Sequence, residues 1–130
     1  MSAPWIKSVF ALAAFYDGAL GLAFLVAPLA IFRHFGVEAP NHLGYVQFPA
    51  LLLLIFAAMF ARIAADPVRR RELMPYGMGL KAAYCGAVLY HQLGGGVPAM
   101  WIPWAWADLG FLVLFAAAWW HTGRKSAGRA

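Results

Sequence analysis

Residues 4–27 read PWIKSVFALAAFYDGALGLAFLVA, a run holding one cation, Lys7, and one acid, Asp17. At ~1.5 Å per residue, about 20 apolar residues make an α-helix long enough to cross the hydrocarbon core of a bilayer. The run is rich in Ala and Leu and has no two-residue alternation, so it reads as a membrane helix and not as a barrel strand. Its length, the interruption by Asp17 and the lack of a small-residue cleavage signal make it a retained helix rather than a signal peptide.

Three further apolar stretches resemble it: residues 43–65, ending before Asp66-Pro67; residues 74–93, ending at Gly94-Gly95-Gly96; and residues 100–121. The whole chain of 130 residues is 64% hydrophobic and 12% charged. Soluble domains lie near roughly 45–50% and about 25%, and a small soluble fold cannot hide so much apolar surface. A soluble enzyme, a nucleic-acid-binding domain and a disordered chain are therefore excluded. The expected fold is all-α: a single integral membrane domain over 1–130, with four transmembrane helices in an up-down-up-down bundle.

Residues 28–36, PLAIFRHFG, carry proline and glycine where a short helix starts and stops, with one polar patch, Arg33-His34. They predict a short interfacial helix after the first span. Pro49 is expected to bend or delay the second span. Residues 123–130 form a basic tail, expected to be mobile.

Basic residues set the orientation. Lys7, Arg62, Arg69, Arg70, Arg71, Arg124, Lys125 and Arg129 fall on one side of the predicted bundle, and only Arg33 on the other. Both termini should face the cytoplasm, with Trp5, Trp119 and Trp120 near the inner boundary and Tyr45, Tyr90 and Trp101 near the outer one. The run Arg69-Arg70-Arg71 reads first as a topology anchor and second as a contact for acidic lipid headgroups.

Three ionisable residues remain at depth. Asp17 falls ~18 Å and Asp108 ~20 Å from the inner ends of their helices, and Lys81 is shallower but long. A charge at bilayer depth costs at least ~2.5–3.5 kcal/mol, so none of the three should face lipid. Helical spacing gives each helix one inward stripe: Phe10, Ala13, Asp17, Gly21 and Phe24 on the first; Gln47, Leu51, Leu54 and Ala58 on the second; Gly77, Lys81, Tyr84, Cys85, Val88 and Gln92 on the third; Trp101, Trp104, Asp108, Leu112 and Phe115 on the fourth. Ala13, Gly21, Ala58 and Gly77, with Gly18 on a neighbouring face, let backbones approach.

The functional reading is a ligand pocket open to the outer leaflet. Asp17 and Asp108 are its anionic groups and Lys81 their counter-ion. Tyr16, Tyr84, Gln47 and Gln92 are hydrogen-bonding neighbours, and Trp101 and Trp104 are walls or a cation–π platform. The competing reading is a buried ion pair that holds helix register. The lone Cys85 reads as an inert buried thiol. His34, His42 and His91 lie near the outer side without a deep facing partner, so no metal or haem site is expected and no cofactor is implied.

The stretches Phe15-Tyr16-Asp17-Gly18, Asn41-His42-Leu43-Gly44-Tyr45 and Trp106-Ala107-Asp108-Leu109-Gly110 are the most distinctive. In architecture the chain resembles small bacterial inner-membrane proteins of the DoxX-like type, in which four helices make the whole protein. The resemblance implies a multi-pass protein of the bacterial plasma membrane. Sterol-isomerase-like membrane proteins, which bind amphiphilic amines or sterols through membrane carboxylates, are similar in chemistry to the pocket.

Three functions follow in order. The first is binding or transport of a small lipophilic or cationic ligand. The second is a structural or accessory role in a homo-oligomer or larger membrane complex. The third is proton transfer by an isomerase-like membrane enzyme. Membrane lipids are partners in every case, and nucleic acid in none.

Overall fold

The computed structural model describes residues 3–127, the last three of these as backbone only. The described residues form five α-helices, α1 (Pro4–Val26), α2 (Pro28–Phe35), α3 (Gly44–Ala65), α4 (Met74–Gly94) and α5 (Trp101–Ala127), with one 3-10 turn at Arg71–Leu73. There is no strand among the described residues.

Three helices are long and apolar enough to cross a membrane: Pro4–Val26, Gly44–Ala65 and the Trp101–Arg124 part of α5, with mean hydropathies of 2.0, 2.2 and 1.5. α4 is not among them, because Pro75, three tyrosines, Lys81, His91, Gln92 and four glycines dilute its apolar content.

Local chemistry places the helix ends. Pro28 has no N–H to satisfy and opens α2 directly after Ala27, whose N–H still bonds the Ala23 carbonyl at 2.9 Å. Gly36 closes α2 in the left-handed conformation at φ 66°, where a side chain would be strained. Pro49 does not delay α3, which starts five residues earlier at Gly44. Near a helix start a proline sacrifices few backbone bonds. At the other end α5 runs on to Ala127, so residues 123–127 of the expected mobile tail are helical; residues 128–130 lie outside the described part.

The long helices associate as two pairs, α1 with α3 and α4 with α5. In lipid there is no hydrophobic drive between helices, so close packing must hold them. α1 meets α3 through small residues. A Cβ on Gly18 would touch Ala57 Cβ at 3.5 Å, and one on Gly21 would lie 2.7 Å from the Ala50 carbonyl oxygen. The expected α3 stripe is corrected here: Leu51 and Ala58 are exposed, and Ala50, Phe60 and Ile63 are buried. Between Gln47 and Arg62 α3 is apolar all round, so this stretch has no polar face to mark its rotation.

Between the two pairs the filling is aromatic. Phe10 stacks on Phe115 at 4.5 Å, and Phe60 reaches Phe115 at 5.2 Å and lies against Gly77, where a Cβ would come within 2.6 Å of its ring. Ile6, Ile63 and Met74 complete this core at the end where α1 begins and α5 finishes.

Candidate functional site

Asp17 of α1, Lys81 of α4 and Asp108 of α5 converge at the junction of the two helix pairs. The stripe Phe10, Ala13, Asp17, Gly21 is the buried face of α1, as the spacing predicts. Gly77 and Lys81 are one turn apart on the buried face of α4. On α5 the buried face is Asp108, Phe111, Phe115 and Ala118, so Phe111 takes the inward place expected of Leu112.

The Lys81 ammonium donates to Asp17 Oδ1 at 2.9 Å and Oδ2 at 3.1 Å, and to Asp108 Oδ1 at 3.0 Å. Three N–H donors thus serve two carboxylates. The triad carries one formal negative charge in excess. Asp17 and Lys81 are each 1% exposed, whereas the Asp108 side chain keeps 11% of its surface accessible. Asp108 Oδ2 accepts no hydrogen bond among the described residues, so Asp108 is the open edge of a closed cluster.

Aromatic faces surround the cation: Phe111 at 5.1 Å, Tyr16 at 5.3 Å and Phe60 at 5.8 Å from Lys81 Nζ. These rings, and not Trp101 and Trp104, supply the cation–π environment. The Tyr16 hydroxyl is buried without a hydrogen-bond partner among the described residues.

From the triad a polar seam runs along α4 and α5. Cys85 Sγ donates to the Ala105 carbonyl at 3.4 Å, and the Tyr84 hydroxyl to the Trp101 carbonyl at 3.1 Å. The seven residues from Trp101 to Asp108 span ~10 Å of helix. Cys85, read from sequence as an inert buried thiol, is half-buried and a member of this seam.

The remaining expected site residues make no hydrogen bond to the triad. Trp104 packs edge-on against Phe24 at 5.5 Å and Phe35 at 6.1 Å, joining α5 to α1 and α2. Trp101 lies 6.3 Å from the Tyr84 ring. Gln92 is exposed, and its side-chain oxygen accepts from the Val97 N–H at 3.1 Å, which closes the glycine turn after α4. Gln47 is half-buried near the start of α3 and makes no hydrogen bond to the triad. Both glutamines belong to helix ends because their helical stripes extend past the layer of the charges.

Phe60 and Phe111 were not singled out by the sequence reading. Phe111 was legible as Asp108 plus three; Phe60 carried no signal. Among the described residues no group of three or more His, Cys, Asp or Glu is placed to hold a metal ion. No protein-family model matches the chain, and no curated protein or solved structure matches it either.

Proposed function

We propose that the chain is a four-span protein of the bacterial inner membrane, with α4 as the fourth span, that binds or transports a small lipophilic cation at the Asp108 edge of the triad. The 21 residues of α4 cover ~31 Å, the thickness of the hydrocarbon core. Its polar groups Lys81, Tyr84 and Cys85 turn towards α5 and the triad rather than lipid. An up-down arrangement of the four spans and the placement of basic residues put both termini on the cytoplasmic side.

The observation that carries the binding reading is the charge count. One ammonium faces two carboxylates, and the second oxygen of Asp108 is reachable and unpaired. A cationic ligand there neutralises the excess charge at depth, and the polar seam past Cys85 and Tyr84 supplies the approach.

Tetraphenylphosphonium is a suitable probe, read through tryptophan fluorescence of the purified protein in detergent. Saturable quenching is expected, lost in Asp108→Asn and weakened less in Asp17→Asn, whose carboxylate is sealed behind Lys81. A water-soluble maleimide should label Cys85 more slowly when the probe is present. Equal binding in wild type and Asp108→Asn refutes the assignment.

The full pairing of Lys81 favours a second reading, in which the triad is a structural clamp between the helix pairs of an accessory subunit. It predicts no saturable binding and a stable complex with other subunits in native mass spectrometry.

A further inference from the structure

At the opposite end of α5 from the polar seam, two arginines lie on two successive indoles. The Arg71 guanidinium sits 4.0 Å from the Trp119 ring, and Arg124 lies 5.3 Å from the Trp120 ring. Arg71 Nε donates to the Trp119 carbonyl at 3.0 Å, which anchors the guanidinium and leaves its four Nη–H donors free for a ligand. Gly123 makes room for it: a Cβ there would lie 2.5 Å from Nη2 and 3.0 Å from Cζ. Arg124 follows Gly123 in the last turns of α5, about 100° further round the helix.

Neither arginine pairs with an acidic side chain among the described residues; Glu72, next to Arg71, is exposed and makes no ion pair. The ion pairs among the described residues are the two made by Lys81. Asp66 is turned to its own loop, where it accepts from the Arg69 N–H at 3.2 Å. Lys7, Arg62 and Arg69 add exposed positive charge around the same helix ends, which contacts between Trp5 and His121 and between Thr122 and Met74 bring together.

We infer that Arg71, seated on Trp119, forms a binding site for the phosphate of an anionic phospholipid headgroup, with Arg124 on Trp120 adding positive charge on the neighbouring face of the helix. A guanidinium fork matches two phosphate oxygens, and indoles lie at the headgroup level of a bilayer. The Nε anchor and the glycine notch make Arg71 a preorganised donor rather than a free surface charge.

The test is native mass spectrometry of the full chain released from mixed phosphatidylglycerol and phosphatidylcholine bilayers, scoring the phospholipid retained. Wild type should retain one phosphatidylglycerol in preference to phosphatidylcholine. Each charge near a membrane surface is worth about fivefold in anionic-lipid affinity, so Arg124→Gln should lower the preference by about that factor and Arg71→Gln, which also removes the fork, by more. Gly123→Ala keeps every charge yet displaces the Arg71 fork, and should lower the preference as Arg71→Gln does. The double variant should add nothing further, because both changes remove the same contact. Arg71→Lys keeps the charge but loses the fork, and should not restore binding.

Lys7→Gln removes one charge from the same end and is the control for bulk electrostatics. The inference is overturned if Arg71→Gln falls no further than Lys7→Gln, or if Gly123→Ala behaves as wild type. Helical circular dichroism of each variant identifies a folding failure. If Gly123→Ala fails to fold, the comparison of Arg71→Lys with wild type decides, and equal preference overturns the site.

Discussion

Replacing Lys81 by Met removes the ammonium while keeping a chain of similar length. Two carboxylates, each about 3 Å from the lost charge, are then at most ~6 Å apart with no counter-ion between them. At an effective dielectric of about 20, their repulsion at that distance is about 3 kcal/mol, and each lost attraction had been worth about 5 kcal/mol before desolvation. Desolvation of the lysine itself is relieved, which offsets much of the lost attraction. Breaking one side of a buried ion pair costs about 3–5 kcal/mol in measured cases, and the triad belongs at that level. Reversible unfolding in mixed detergent and dodecyl sulfate micelles gives the number. The companion variant carries Lys81→Met, Asp17→Asn and Asp108→Asn together. It is neutral and nearly isosteric, and should recover most of the lost stability, because joint neutralisation leaves no orphaned charge. A loss under about 1 kcal/mol for Lys81→Met, or no recovery in the triple variant, refutes the view that this cluster clamps the two helix pairs.

Further outcomes are expected. Gly21→Ala should destabilise the protein by about 1–3 kcal/mol in the same unfolding assay, because the new Cβ meets the Ala50 carbonyl at 2.7 Å. Gly86→Ala meets nothing within 4 Å and should be neutral or stabilising by up to about 1 kcal/mol through helix propensity. A fluorescent protein that matures only in the cytoplasm should be bright when fused after Ala130. A phosphatase that is active only outside the cytoplasm should work when fused after Gly95. Fluorescence after Gly95 with phosphatase activity after Ala130 would show that α4 does not cross, because three spans put the two termini on opposite sides.

The membrane character of this chain and three of its apolar helices were determined by composition and run length, because transfer of a long apolar helix into lipid depends on its residues and not on their neighbours. The same holds for Asp17, Lys81 and Asp108 turning inward: the cost of a charge in lipid is large enough to orient any helix that bears one. Pro28 and Gly36 bounded α2 for an equally local reason, a missing N–H at one end and a left-handed φ at the other. α4 was harder to read, since its tyrosines and glycines lower its hydropathy and its claim to span the membrane rests on what surrounds it.

How these pieces meet is set by the packing of the helices against one another. That packing gave Lys81 to both carboxylates at once, a choice that depends on side-chain reach across three helices. It rotated α3 so that Ala57 and Phe60, not Ala58 and Leu51, face the other helices. An all-apolar stretch of helix carries no pattern that fixes its rotation, so steric fit against Gly18, Gly21 and Gly77 selects it. It moved Gln92 from the site to a turn, and it set Arg71 on Trp119 across 48 residues of sequence. Each of these is a matter of distance between helices, which no single helix encodes.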